Sequence, residues 1–337
     1  MRVPRRLVAA VVLIAVPLAG VLPAGANGLG GPLADFQAEL TAYSLRAPGH
    51  VGIAIQDVAT GATSGINTGA EMPAASTIKI PVMVEVFRQL VAGKFDLNTK
   101  LRLRRGDKDW GSGDLSGARV GSSYTVSRLL SLMIDVSDNT ATNMLIRRVG
   151  RQRINATMAD YGLTHTRLRD FIRSEGPGIR WALRSSPADM AHLLGVMAKE
   201  QLVDEWSSRE MIAILRGQHH NGLLPEPLPP GTQIAHKTGT LHDTLNDVGI
   251  VYGAGEDPYV IAVMTTDLPT LESGRRFIRG VSKMAYAALG KLGAWHDDFN
   301  PATDWTRGTP EQQMWTPQNV PAAAPAAEPS AAPSPAP

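Results

Sequence analysis

The sequence predicts an α+β fold: a mostly antiparallel sheet of about five strands flanked by helices, plus an all-α lobe. Three observations carry this. Strand-like runs sit near both ends of the chain, at 51–58 and 233–265, and must share one sheet. The runs are joined by short turns, which antiparallel neighbours allow and parallel ones do not. Between them lies a series of helical patterns from 124 to 217, enough for a separate lobe.

The elements follow in order. Residues 32–46 read as an amphipathic helix, with Leu33, Phe36, Leu40 and Tyr43 at three- and four-residue spacing. Val51 to Val58 and the glycine near 61 read as a strand opening a hairpin. A helix begins near Ser76 and runs to about Val91. Residues 101–123 are charged and Gly-rich, hence loop. Helices are expected at 124–136, 139–149, 152–161, 187–203 and 207–217, with a long loop over 167–186. Strands at Gln233–Lys237, Asp247–Tyr252 and Tyr259–Thr265 and a helix over 271–291 complete the unit.

Both ends read differently. Met1 to Arg6 is basic, Leu7 to Leu22 is uncharged and apolar, and Ala24-Gly25-Ala26 offers a small-residue cleavage site. Residues 1–26 thus read as a secretory signal peptide, which places the protein outside the cell, in the periplasm or in the cell envelope. The apolar run is shorter than a typical span of about 20 residues, so no stable membrane span is expected after cleavage. The domain is expected over 27–295 and a C-terminal extension over 296–337. From Gln318 onward the extension is almost entirely Pro, Ala and Ser, a composition that favours extended chain and is compatible with envelope association.

Composition excludes several classes. The formal charge is +2, with 33 Lys+Arg against 31 Asp+Glu. Without Arg2, Arg5 and Arg6 of the signal segment it becomes −1, so no nucleic-acid partner is expected. There is no cysteine, so disulfides and thiolate chemistry are excluded and any nucleophile is a hydroxyl. A chain this long buries roughly three quarters of its unfolded surface and can fold on its core alone.

Three short motifs occur in order: Ser76-Thr77-Ile78-Lys79, Ser137-Asp138-Asn139 and Lys237-Thr238-Gly239. Ser76 and Lys79 share a helix face. A serine hydroxyl needs a base within reach, and a lysine serves if burial or nearby positive charge lowers its pKa. Ala74 and Ala75 are small enough for a tight turn into the helix, and Pro81 removes one donor in its second turn. Taken alone, Ser137-Asp138-Asn139 reads as a helix cap and Lys237-Thr238-Gly239 as an exposed strand end.

Together the motifs resemble the class A β-lactamase and penicillin-binding-protein-like serine hydrolases. The resemblance covers about 32–292 and extends to Thr140-Ala141-Thr142-Asn143-Met144-Leu145-Ile146, Thr166-Arg167-Leu168 and Ser186-Pro187. It implies Ser76 as nucleophile, Lys79 as base and Ser137 as proton shuttle. Asn139, Lys237, Thr238, Gly239 and Thr240 would form the substrate-binding set. The N–H groups of Ser76 and Thr240 would make an oxyanion hole. The implied partners are small-molecule β-lactams or D-alanyl peptides, with no cofactor.

The chain departs from that family's hydrolytic members in the long loop, which lacks Glu-x-x-Leu-Asn. Counting forward from the second motif puts the glutamate's counterpart near Ile172, and counting back from Ser186-Pro187 puts it near Asp170. Asp170 and Glu175 are the loop's candidate deacylation bases. Val248 falls where many relatives place an arginine. Three functions stay open: a β-lactamase, a D-alanyl carboxypeptidase or esterase that releases its acyl group slowly, and a non-catalytic envelope-binding protein. His219, His220, His236 and His242 form no metal-ligand motif, so no metal is expected. Trp110 reads equally as a cleft wall or as loop packing, and Trp295, Trp305 and Trp315 as tail anchors.

Overall fold

The computed structural model describes residues 32–176, 178–253 and 258–289. The signal segment, the extension beyond 296 and the three C-terminal tryptophans lie outside the described residues. In chain order, α1 (Pro32–Ser44) leads to β1 (His50–Asp57), β2 (Thr63–Ile66) and β3 (Met72–Pro73). A 3₁₀ turn (Ala75–Ile78) runs into α2 (Lys79–Val91), followed by β4 (Lys100–Arg102) and β5 (Ser123–Thr125). Next come α3 (Val126–Asp135), α4 (Asn139–Val149), α5 (Arg151–Asp160), β6 (Arg167–Leu168), α6 (Ile179–Ala182) and β7 (Leu183–Ser185). The unit closes with α7 (Pro187–Ala198), α8 (Glu205–Arg216), β8 (Gln233–Leu241), β9 (Thr244–Tyr252), β10 (Tyr259–Thr266) and α9 (Leu271–Leu289).

The main sheet has five strands in the order β2-β1-β10-β9-β8, every pair antiparallel. Strands from both ends do share it, as predicted. The outer face carries α1 and α9 over Phe36, Leu40, Ile53, Ile261 and Phe277. The other face and the helical lobe form a second core, with Phe87, Leu129, Met144, Leu194 and Val260 among its members. Sequence-local caps start the lobe's helices. Thr125 accepts from Arg128 N before α3, Ser186 from Asp189 N before α7, and Asp204 from Ser207 N before α8. Pro187, at the start of α7, costs no bond there.

Three expectations need correction. The segments 101–123 and 167–186 are not wholly loop. The first carries most of β4 and the start of β5, which pair with each other. The second carries β6 and β7, which pair together and, through β7, with β3; these two- and three-residue strands are too short to leave a pattern. Helix α7 stops at Ala198 rather than 203, because Glu200 and Val203 take φ of +59° and +70°, through which a right-handed helix cannot continue. Strand β8 runs on to Leu241, so Lys237-Thr238-Gly239 lies inside the ladder; the tight return at Leu241↔Thr244 extends the pairing with β9.

Candidate active site

The site begins at the turn before α2. Ala75 adopts φ +48°, a left-handed conformation unusual for a residue with a Cβ, and swings the chain into the 3₁₀ turn. In a 3₁₀ turn, side chains three apart eclipse, so Ser76 and Lys79 lie on one face. Ala74 anchors the turn on two sides. Its N–H donates to Leu183 O at 2.9 Å, and its carbonyl accepts from Thr77 Oγ1 at 2.7 Å. Pro81, third in α2, sits where the amide would have had no partner inside the helix.

Lys79 is fully buried. Its Nζ donates to Ser137 O at 2.6 Å, Ser137 Oγ at 2.9 Å and Asn139 Oδ1 at 2.8 Å. Burial first, then the charge of Lys237, hold its pKa well below the ordinary lysine value, while Asp138 and Asp109 pull the other way. Ser137 reaches Lys79 from a left-handed backbone, φ +58°. Asp138 caps α4 by accepting from Ala141 N at 2.7 Å and also holds Leu115 N at 2.8 Å. The second motif is therefore a helix cap and a lysine cradle at once.

Asn139 links outward. Its Nδ2 donates to Asp109 Oδ1 at 2.7 Å, and Asp109 Oδ2 accepts from Ser174 N at 2.8 Å and Ser174 Oγ at 3.1 Å. Burial works to raise the Asp109 carboxyl. The bonds from Asn139, Ser174 and Gly111 outweigh it and leave its pKa below the usual value. Gly111 permits the approach, since a Cβ there would lie 2.3 Å from Ser174 Cβ. Four residues past Asn139, Asn143 clasps Ile172: its Oδ1 accepts from Ile172 N at 2.8 Å and its Nδ2 donates to Ile172 O at 3.0 Å.

The third motif closes the opposite wall. Gly239 packs against the nucleophile turn; a Cβ there would sit 2.9 Å from Ala74 O and 3.1 Å from Ser76 N. Lys237 is also fully buried, and its Nζ donates to Thr238 O at 3.2 Å. Burial lowers its pKa to about 7, opposed by Asp247 and Asp135. Val248 pairs opposite it in the ladder. Behind it, His236 Nδ1 lies 2.9 Å from Asp247 Oδ1, and its Nε2 lies 3.0 Å from Asn221 Oδ1.

One cavity of about 780 Å³ is lined by Ser76, Ser137, Asn139, Ile172, Thr238 and Thr240, with His220 and His242 also on its wall. Lys79, Lys237 and Gly239 lie outside its lining, which takes residues from each of the three motifs. Asp170 and Glu175 do not line it either. Both are exposed and line an adjoining cavity of about 250 Å³ that shares Arg173, Ile179 and Leu183 with the first, with Asp170 Oδ1 accepting from Phe171 N. Of the two positions reached by counting, Ile172 is the one facing Ser76's cavity. Trp110 stands 74% exposed beside the Lys108 ammonium, 5.5 Å from its ring centre. Asp109 and Asn143 escaped the sequence reading; their only signal was proximity to Trp110 and to the second motif.

A model described as the beta-lactamase enzyme family matches residues 35–289. A beta-lactamase of Streptomyces lavendulae is 25% identical over 285 residues, covering 81% of this chain and 93% of that one. The structure of PBP-A superposes with TM-score 0.72 at 31% identity, over 77% of this chain and 97% of that one. The beta-lactamase from Sphaerobacter thermophilus does so with TM-score 0.69 at 31% identity, over 77% and 97%. A match over most of the chain, and a cavity that takes lining residues from all three motifs on this sheet and lobe, agree: the chain belongs to the beta-lactamase enzyme family.

Proposed function

We propose that the chain is an exported serine hydrolase that opens β-lactam amides through an acyl-Ser76 intermediate, with release of the acyl group limiting its turnover. The observation that carries this is the buried Lys79, held on Ser137 and Asn139 one turn from Ser76. Burial and the Lys237 charge hold its pKa well below the ordinary lysine value, which favours the neutral amine relative to a solvated lysine. That amine takes the proton of Ser76 Oγ as the oxygen attacks the β-lactam carbonyl carbon. The N–H groups of Ser76 and Thr240 stabilise the developing oxyanion. Ser137 Oγ then passes the proton to the leaving nitrogen as the C–N bond breaks. Lys237 and Thr238 hold the substrate carboxylate, and Asn139 the side-chain amide.

Release needs an activated water. Neither Asp170 nor Glu175 lines Ser76's cavity, and the position that does face it is the apolar Ile172. This supports slow deacylation, and with it a second reading: a penicillin-binding-protein-like D-alanyl carboxypeptidase or esterase on the same residues. PBP-A, in a mutant form, is known as an acyl-enzyme complex with penicillin G. The basic-apolar-small order of residues 1–26 supports export, and the Pro/Ala-rich end supports contact with the envelope.

Nitrocefin hydrolysis by the mature protein tests the reading. The expected course is a burst of one equivalent per Ser76, then slow steady turnover, with both phases lost in Ser76→Ala. Full activity in Ser76→Ala would refute the mechanism.

A further inference from the structure

We infer that Asn246 is a positioning residue for acylation, tethering to the sheet the two carbonyls that precede the nucleophile's turn. The inference rests on the acyl-Ser76 reading above.

Asn246 sits on β9 directly opposite Gly239 of β8, with its side chain fully buried. Directly paired residues of an antiparallel ladder point to the same face. Gly239 leaves its half of that face bare, and the turn at Ala74–Ser76 lies against it. The Asn246 amide fills the other half. Its Nδ2 donates to Pro73 O at 2.8 Å and to Ala74 O at 3.2 Å. Its Oδ1 accepts from Thr265 N at 2.9 Å on β10, which fixes which end of the amide faces the turn.

The tethered carbonyls belong to the residues just before Ala75, whose φ of +48° is disfavoured by its Cβ. A disfavoured turn holds its shape only when its surroundings over-determine it. Thr77 contributes from within the turn, through its N–H and Oγ1 to Ala74 O. From outside, Leu183 O holds the Ala74 N–H, and Asn246 adds the link to the main sheet, from the strand paired with the one that carries Lys237 to Thr240. The amide therefore locks the Ser76 hydroxyl and N–H to the other half of the oxyanion hole. Losing it would leave the cleft's binding groups in place while misaligning the attacking atom.

Stopped-flow acylation of Asn246→Ala by nitrocefin separates the two effects, because it resolves the non-covalent Kd from the acylation rate constant. Positioning predicts that the rate constant falls by at least about tenfold while Kd changes by less than threefold. A smaller fall in a folded variant, or a loss confined to Kd, overturns the inference. Asn246→Ser, which keeps a short donor, replaces the alanine variant if that one does not fold. If neither folds while Ser76→Ala does, Asn246 is structural only and the inference is overturned. Wild-type protein that forms no adduct would instead refute the acyl-Ser76 reading on which the tether depends.

Discussion

Two buried lysines near Ser76 differ in their surroundings, and the proposed mechanism assigns them different roles. Lys79 has neutral hydrogen-bond partners, and burial and a neighbouring positive charge hold its pKa well below the ordinary value against Asp138 and Asp109. Lys237 has Asp247 and Asp135 to oppose its burial, so it keeps its proton up to about pH 7. Burial also raises Asp135, to about 7, with Arg128 and Lys237 opposing. Each charge therefore opposes the shift that burial imposes on the other. Removing the carboxylate takes away a stabiliser of the ammonium, so Asp135→Asn is expected to shift the alkaline limb of the acylation pH profile downward. An unchanged or upward-shifted limb would refute the coupling. The stability contribution has its own sign. The folded Lys237 pKa lies below the ordinary 10.5, so the unfolded chain holds more protons between the two values. Stability from this group therefore rises with pH across that window and is lowest below it.

At the scale of elements, the site depends on how closely β8 approaches the 3₁₀ turn. Gly239 sets that distance, because atoms of the turn's own backbone stand where a Cβ would go. Gly239→Ala is expected to cost about 1–3 kcal/mol of stability through overpacking. It should also slow acylation on the order of 100-fold through misplacement of Ser76. A thermal melt and the acylation rate check both, and acylation within threefold of wild type would contradict the account. The elements that the sequence made legible were those with period or caps: α1, α2, the lobe helices and the sheet strands. The three motifs were legible because each couples a local spacing to a local element. Asp109, Asn143 and Asn246 were not, since what defines them is a partner far along the chain. Asn246 meets Pro73 across 173 positions, and Asn139 meets Asp109 across 30. No local pattern encodes such a meeting. The short strands β3 to β7 were illegible for the same reason: tertiary pairing makes them.

For the molecule as a whole, two cores lie on opposite faces of one sheet, and the outer one meets Ser76's cavity only at its edge, through Leu223 and Leu245. The layer of α1 and α9 holds Phe36 and Leu40 almost wholly buried, and Tyr43 stacks on Phe277 at 5.2 Å. None of these lines Ser76's cavity. Phe36→Ala is expected to cost about 3–5 kcal/mol yet leave the acylation rate of the folded protein as it was. A slowed rate at full folding would show that the layers are coupled. With no cysteine in the chain, these cores and the hydrogen bonds of Asn246 and Leu183 hold the nucleophile's turn against the sheet without a disulfide. The central claim is that Ser76 is acylated readily and released slowly because Ile172 faces the cavity where a carboxylate would activate water. Intact-protein mass spectrometry over time after adding benzylpenicillin tests it most directly. The account predicts one penicillin mass on wild-type protein, persisting after free penicillin is removed, absent in Ser76→Ala and shorter-lived in Ile172→Glu. An unmodified wild-type mass with penicillin left intact, or an adduct that survives Ser76→Ala, would contradict it.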